Sequence, residues 1–217
     1  KKSKEVRRIL HDFVALEIAE QTPEHIIAKD MLNLKEVSID KTIRRMDMML
    51  RSMLIDVMSK DKNVRETLKF RDYDVNRLYF LLSRILKHAL ADDSVASIFD
   101  LKRSQVLGKW YLTMNLENAG DACKKIYALT LDLDKKDFNE FRTVFLEINQ
   151  NYLEVMKSYF SKDKKLANKI AGKRRETEEK ITKIADTTKK SQAELVETLK
   201  TMSTIVTNVA RIVIDEE

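Results

Sequence analysis

Residues 107–121 read LGKWYLTMNLENAGD, and the order of apolar and acidic residues in this stretch decides the fold. Leu107, Trp110 and Met114 recur at steps of three and four, which is the period of one face of an α-helix. Glu117 and Asp121 continue the same steps, so two carboxylates stand where further apolar side chains are expected. The stretch therefore predicts an amphipathic helix that carries a polar site on its packed face.

The composition of the 217-residue chain favours the same architecture throughout. Three glycines and one proline are too few for a fold rich in strands or loops. Apolar residues make up 43% of the chain and charged residues 35%, a mixture that suits amphipathic helices. Cys123 is the only cysteine, which excludes an internal disulfide and is typical of a reducing cytoplasm. The net charge of +6 would suit phosphate, nucleic acid or an acidic membrane surface as a partner, but the interspersed acidic residues favour solvated helix surfaces.

The N-terminal segment, residues 1–34, differs from the rest of the chain. Residues 3–11 predict a short helix. The apolar runs 13–18 and 26–28 predict two strands joined by a turn at residues 22–25, where Pro23 fixes the backbone angle φ. Two strands alone are marginally stable. The hairpin is therefore expected to pack on a helix or to complete a sheet that begins upstream.

Six long helices are expected in the remainder. Ser38 and Asp134 can each accept a hydrogen bond from the first turn of a helix, and therefore predict the starts of the first and fourth. The stretch 204–207 is β-prone, but the lack of turn signals around it favours a helix. The first helix begins near residue 38, and the other five are expected at about residues 62–90, 97–131, 134–160, 163–185 and 189–213.

A short repeat indicates that the helical part is duplicated. Residues 59–62 read SKDK, and the same four residues recur at 161–164, an offset of 102. Each copy follows a helix with an apolar face and opens another helix. We therefore predict an all-α fold of two tandem three-helix bundles with a short N-terminal β-hairpin. Its segments are a linker with the short helix and hairpin at 1–34, a first bundle at 35–132 and a second, degenerate bundle at 133–217.

Two polar pairs are the candidate site. Asp72 and Asn76 are four residues apart on the second predicted long helix, and Glu117 and Asp121 are four apart on the third, so each pair shares a helix face. Antiparallel packing would bring the pairs together. Buried carboxylates need cations or hydrogen-bond donors. One interpretation is an oxygen-rich metal site, and the other is a polar network satisfied by Arg, Lys or water.

Three basic residues, Arg71, Arg77 and Lys124, lie near these pairs in sequence. They are candidates to neutralise the carboxylates or, with a metal, to attract an anion such as phosphate. Solvated surface charge is the simpler interpretation of all three.

Motifs for catalysis are missing from the sequence. Arg8, Thr22 and Ile85 stand three residues before the three histidines, so no Glu-x-x-His pair of a di-iron bundle exists. There is no glycine-rich phosphate loop and no recognisable Ser or Cys nucleophile motif. No apolar run approaches the roughly 18 residues of a membrane span. The chain is therefore predicted to regulate or bind rather than to catalyse.

The candidate pairs lie in two motifs that resemble a known family. Residues 71–78, RDYDVNRL, resemble the second-helix motif of PhoU-type phosphate-signalling proteins. Residues 115–122, NLENAGDA, resemble that family's third-helix signature, Leu-Glu-Arg-Ile-Gly-Asp-His-Ala. Residues 16–18, 20, 29–30 and 44–46 are similar to the archaeal branch. In that branch an AbrB-like DNA-binding domain precedes the PhoU portion, and this chain is expected to lack it.

The resemblance implies a cytoplasmic, often dimeric protein that controls phosphate uptake through a phosphate transporter component or a signalling kinase. It also implies metal binding by Glu/Asp-x-x-x-Asp pairs, with Fe, Zn, Mn, Mg and Ca as candidate metals. Glu117 and Asp121 match such a pair. Asp72 matches the first position of the other pair, and Asn76 replaces its second carboxylate.

The second repeat departs from the family pattern. The offset places Arg174 and Glu178 where Asp72 and Asn76 stand. On the last helix, Lys200 and Thr204 fall where the acidic pair would be expected. We expect an ion pair between Glu178 and Lys200, with Arg174 nearby, to replace a metal in this bundle.

Three functions remain open on the sequence. The leading prediction is a phosphate-responsive regulator that acts through protein–protein contacts, with peripheral membrane contact but no membrane span. The second is the effector or dimerisation half of a DNA-binding transcription regulator. The third is a helical scaffold without a ligand.

Overall fold

The structure is a computed structural model that describes residues 2–59, 61, 63–187 and 192–216. An N-terminal helix, α1, and a hairpin, β1–β2, come first, followed by a 3₁₀ turn at Leu34–Glu36. Eight further helices follow within the described residues. The bounds are α1 Lys2–Asp12, β1 Leu16–Gln21, β2 Ile26–Asp30, α2 Ile39–Asp56, α3 Val64–Ala91, α4 Asp93–Ile98, α5 Arg103–Thr130, α6 Lys135–Ser161, α7 Lys164–Gly172, α8 Arg174–Thr187 and α9 Ala193–Asp215.

These helices form two antiparallel bundles. Helices α2, α3 and α5 pack together as the first bundle, and α6, the α7–α8 pair and α9 form the second. Helix α5 also packs along α9, which joins the two bundles side by side. The predicted all-α fold with an N-terminal hairpin is thus confirmed, whereas the division of the chain at residues 34 and 132 stays a prediction.

The predicted helix starts at Ser38 and Asp134 are confirmed. The Ser38 hydroxyl accepts a hydrogen bond from the Lys41 amide at 3.4 Å, and Asp134 Oδ1 accepts one from the Asp137 amide at 2.9 Å. Each oxygen satisfies one of the amides that a helix start leaves unpaired. The apolar face predicted on α2 is fully buried, as shown by the zero exposure of Ile43, Met46, Leu50, Met53 and Val57.

Two predicted helices are interrupted. The helix expected at 97–131 is instead α4 and α5, because Asp92 caps α4 and Asp100 takes a left-handed backbone conformation with a φ of 52°. The helix expected at 163–185 divides into α7 and α8 at Lys173. The start expected at residue 189 lies outside the described residues, and α9 begins at Ala193.

The β-prone stretch 204–207 is helical, as predicted. Its β-branched side chains Ile205, Val206 and Thr207 are buried in the core. Packing of this face against α5 and α6 therefore outweighs the local preference for a strand.

The N-terminal unit, α1 with the hairpin, is held on α3. The Arg84 guanidinium donates a hydrogen bond to the Val14 carbonyl oxygen at 3.0 Å, and His11 Nδ1 lies 3.0 Å from the Tyr73 hydroxyl. The strands themselves are largely exposed. The hairpin begins at Leu16 rather than at Phe13, because the Phe13 ring packs on the Phe80 ring at 5.4 Å instead of entering the strand.

A buried carboxylate links the two bundles. Asp47 on α2 is 3% exposed. Its Oδ1 accepts a hydrogen bond from the Tyr152 hydroxyl of α6 at 3.0 Å, and its Oδ2 accepts one from Arg51 Nε at 2.9 Å. Burial raises the pKa of Asp47, while Arg51 and the Tyr152 hydroxyl oppose that rise. A second link joins α5 to α9, where Asn208 Nδ2 donates to Asn115 Oδ1 at 3.0 Å.

Breaking the Asp47–Tyr152 link should destabilise the protein. Tyr152→Phe is expected to lower the free energy of unfolding by about 1 kcal/mol and Asp47→Ala by about 2 kcal/mol, because each leaves a buried polar group without its partner. The double variant should lose about 1 kcal/mol less than the sum, since the two groups share one hydrogen bond. Urea unfolding of the four proteins measures this coupling.

Tyr159→Phe is the matched control on the same helix. The Tyr159 hydroxyl makes no hydrogen bond within the described part of the chain, so this variant should unfold with nearly wild-type stability. Strict additivity of the Asp47 and Tyr152 variants would contradict the proposed link.

Candidate functional site

The predicted site residues come from the facing helices α3 and α5, which pack against each other at Gly120 of α5. A Cβ atom at Gly120 would lie 3.6 Å from Asp72 Oδ1 and 3.7 Å from Val75 Cγ1. Asp72 and Val75 of α3 thus face Gly120, and the space there would also admit a methyl group in ordinary van der Waals contact.

The two helices hold their acidic residues differently. On α3, Asp72 lies among the buried residues Leu68, Val75 and Leu82 and is itself 8% exposed. On α5, the stripe of Leu107, Trp110 and Met114 is not the packed face: Leu107 is 52% exposed, and the other two are half-buried. Residues such as Leu112, Leu116 and Cys123 form the packed face instead. The carboxylates that continue the stripe therefore stand at the edge of the bundle, Glu117 half-buried and Asp121 exposed.

Lys124 joins the two helices at this point. Its ammonium lies 2.7 Å from Asp72 Oδ2 and 2.8 Å from Asp121 Oδ1. One turn of α5 thus presents a cation to a carboxylate on α3 and to another on its own surface. We call the group of Asp72, Asn76, Glu117, Asp121 and Lys124 the acidic cluster.

Asn76 and Glu117 make fewer contacts within the acidic cluster than Lys124 does. Asn76 Nδ2 donates a hydrogen bond to Asp72 Oδ2 at 3.3 Å, so its amide group acts as a donor to the carboxylate. Glu117 makes no hydrogen bond and no ion pair with the described residues, although its pKa is raised by burial and by the negative charges of Asp121 and Asp72.

The pKa shifts follow from this geometry. Burial raises the pKa of Asp72, and the hydrogen bond and charge of Lys124 oppose the rise. Burial alone would lower the pKa of Lys124, but its hydrogen bonds to Asp121 and Asp72 outweigh that effect and raise it. The raised pKa of Asp72 disfavours its ionised form, whereas the raised pKa of Lys124 favours the charged ammonium. The short contacts favour the ionised pair at neutral pH, because an ammonium 2.7 Å from a carboxylate oxygen is a charge-assisted contact.

The three basic candidates lie in different parts of the structure. Only Lys124 lies in the acidic cluster. Arg71 pairs instead with Asp56 at the end of α2. The Arg77 guanidinium lies 5.9 Å from the centre of the Tyr73 ring and lines a cavity of about 500 Å³ between α2 and α3.

The acidic cluster does not fit the metal cluster that the resemblance implies. Within residues 2–59, 61, 63–187 and 192–216, no three His, Cys, Asp or Glu side chains are grouped so as to hold a metal ion. Asn76 supplies a donor toward Asp72, and the Lys124 ammonium already occupies the position between Asp72 and Asp121. The assignment of Asp72, Asn76, Glu117 and Asp121 as metal ligands stays a prediction.

The second bundle pairs its charges differently from the expectation. Arg174 Nε lies 2.6 Å from Glu178 Oε1 on α8, as anticipated for those two residues. Lys200 pairs with Glu197 on its own helix at 2.8 Å, so the predicted Glu178–Lys200 ion pair is wrong. Thr204 is exposed on the surface of α9.

A separate cavity of about 650 Å³ lies between the start of α5 and the end of α9. Trp110, Tyr111 and Tyr159 line it together with Ile212 and Arg211. None of the predicted site residues reaches it.

The inter-bundle carboxylate Asp47 is the main polar residue that the sequence interpretation missed. The sequence does contain a pattern that could have indicated this residue. Asp47 lies four residues after the apolar Ile43 and four before Arg51 on the same helix. Such a carboxylate next to a buried face, with a basic residue at the fourth position, indicates an internal ion pair.

Comparisons with known proteins support the fold. No protein-family model matches the sequence, and no curated protein matches it. Among solved structures, the crystal structure of PhoU from Pseudomonas aeruginosa matches with a TM-score of 0.68 and 12% sequence identity. The match covers 81% of this chain and 93% of that chain. The fold is therefore PhoU-like. Membership of the archaeal AbrB-linked branch stays a prediction.

The packing of the α3–α5 face can be tested at Cys123, which follows the predicted signature on α5. Burial, and to a lesser degree the charge of Asp72, raises the pKa of the Cys123 thiol to about 12. The folded protein should therefore react with iodoacetamide at pH 8 at least about 1,000-fold more slowly than the urea-unfolded protein, because the thiolate is the nucleophile. Since Cys123 is the only cysteine, mass spectrometry of the alkylated chain reports this site alone. Equal rates in the two states would contradict the packing.

Proposed function

We propose that this protein is a cytoplasmic regulator of phosphate uptake and phosphate homeostasis that acts through protein–protein contacts. One observation carries the proposal: the fold matches PhoU from Pseudomonas aeruginosa along 93% of that chain. The two motifs that resemble the PhoU family, residues 71–78 and 115–122, also face each other on α3 and α5 and supply every residue of the acidic cluster except Lys124.

A regulatory rather than an enzymatic role fits the chemistry of the described residues. Cys123 is buried, and its raised pKa disfavours the thiolate. Two of the three histidines are engaged near the N-terminus, His11 with the Tyr73 hydroxyl and His25 with the Thr22 hydroxyl and Glu20. These contacts do not assemble a nucleophile with a base.

The proposed partners are a second copy of this chain and either a phosphate transporter component or a signalling kinase. No helix among the described residues is long and apolar enough to cross a membrane. A regulator of a transporter would then meet its partner at the membrane by peripheral contact.

The exposed N-terminal unit favours a second candidate function. Ile18 and Ile27 on the hairpin, Met31 directly after it, and Val6 and Ile9 on α1 are all exposed. A surface of this kind suits the effector or dimerisation half of a DNA-binding regulator, in which it would contact a further domain or a partner chain. Enrichment of specific promoter fragments by chromatin immunoprecipitation of the protein from its own cells would favour this candidate over the first.

Deletion of the gene in its own host tests the leading proposal. Uptake of radiolabelled phosphate by phosphate-rich cells should change at least about twofold, because the control of transport is lost, and a plasmid copy of the gene should restore it. Sulfate uptake in the same cells is the matched control and should stay the same. Equal phosphate uptake in deleted and parental cells, at both high and low external phosphate, would contradict the proposal.

The oligomeric state can be measured directly. We expect light scattering behind size-exclusion chromatography to give twice the 25.4 kDa mass of the chain. A mass of a single chain across the accessible concentrations would contradict the proposed homodimer.

A further inference from the structure

The acidic cluster holds three carboxyl groups and one cation, Lys124. Asp72 and Asp121 both contact the Lys124 ammonium, and the negative charges of these two residues raise the pKa of Glu117. Lys124 is the only cation that acts on Asp72 and Glu117 within the described part of the chain. Partly buried carboxylates without a nearby cation would strongly destabilise the bundle.

Lys124 is positioned as a bound cation would be. Its ammonium contacts one oxygen of Asp72 and one of Asp121 at 2.7 and 2.8 Å, and it bridges α3 and α5. A divalent ion held by the same two oxygens would lie within a few ångströms of this ammonium, where like charges repel strongly. The lysine and a metal are therefore competing occupants of one position.

We propose that Lys124 is a built-in cation that takes the place of a metal ion in the first bundle, so that the protein folds and works without metal. In the second bundle, the position related by the repeat offset holds a partly exposed ion pair within α8, between Arg174 and Glu178. The inference concerns the charge balance of the bundle and does not rest on the proposed regulatory function.

The test compares Lys124→Met with Lys125→Met. Methionine keeps most of the length of the side chain but carries no charge. Lys125 is the next residue on α5, is exposed, and pairs with Glu194 at 2.9 Å outside the acidic cluster. Melting temperatures are measured in EDTA, in MgCl₂ and in MnCl₂. Metal content is measured by elemental analysis of the native protein purified without chelators.

The proposal predicts a distinct pattern. The native protein should contain no stoichiometric metal, and its melting temperature should be the same in EDTA and in MnCl₂. Lys124→Met should melt on the order of 5 °C lower in EDTA, because the carboxylates have lost their cation. MnCl₂ should recover part of this loss by binding the vacated position, and the further change Glu117→Gln should weaken the recovery. Lys125→Met should behave like the native protein.

Two results would overturn the proposal. The first is stoichiometric metal in the native protein whose removal by EDTA lowers the melting temperature. The second is a Lys124→Met variant that melts like Lys125→Met or gains no stability from MnCl₂. Neither result involves phosphate uptake. Failure of this proposal would therefore not count against the proposed regulatory function.

Discussion

Charge compensation between α3 and α5 is the constraint on which the first bundle depends. Asp72 is buried among apolar residues of α3, and its carboxylate faces Gly120 of α5. A carboxylate in such a place must have a cation close by. Lys124 supplies it from one turn further along α5 and holds the two helices in register at the same time. The polar residues of this face therefore contribute directly to the packing of α3 against α5.

The contact between the two bundles relies on hydrogen bonds between polar side chains. Asp47 reaches from α2 to the Tyr152 hydroxyl on α6, and Asn115 accepts a hydrogen bond from Asn208 on α9. Unlike apolar contacts, buried hydrogen bonds fix the register of two helices, since a shift of one residue leaves both groups unpaired. These links therefore define how the PhoU-like bundles sit side by side, while the apolar core supplies most of the stabilisation.

The sequence predicts the helical architecture well because its signals are local. The apolar steps on α2 and the capping residues Ser38 and Asp134 depend on neighbours within one or two turns. The interruption at Asp100 escapes prediction because no glycine or proline stands there. At the other break, Gly172 directly precedes Lys173 and was a local signal that the prediction did not use. The site is predicted only in part. The pairing of Asp72 with α5 follows from antiparallel packing, but the choice between Lys124 and a metal depends on where one flexible side chain lies in three dimensions.

The proposed regulator would differ from a metal-dependent protein in one respect, since its first bundle is complete without any supply of metal ions. A crystal structure with diffraction measured at the absorption edges of Mn, Fe and Zn tests this claim most directly. We predict density for the Lys124 ammonium between Asp72 and Asp121 and no anomalous peak at the acidic cluster. An anomalous peak bound by Asp72, Glu117 or Asp121, with Lys124 turned away to solvent, would contradict the account.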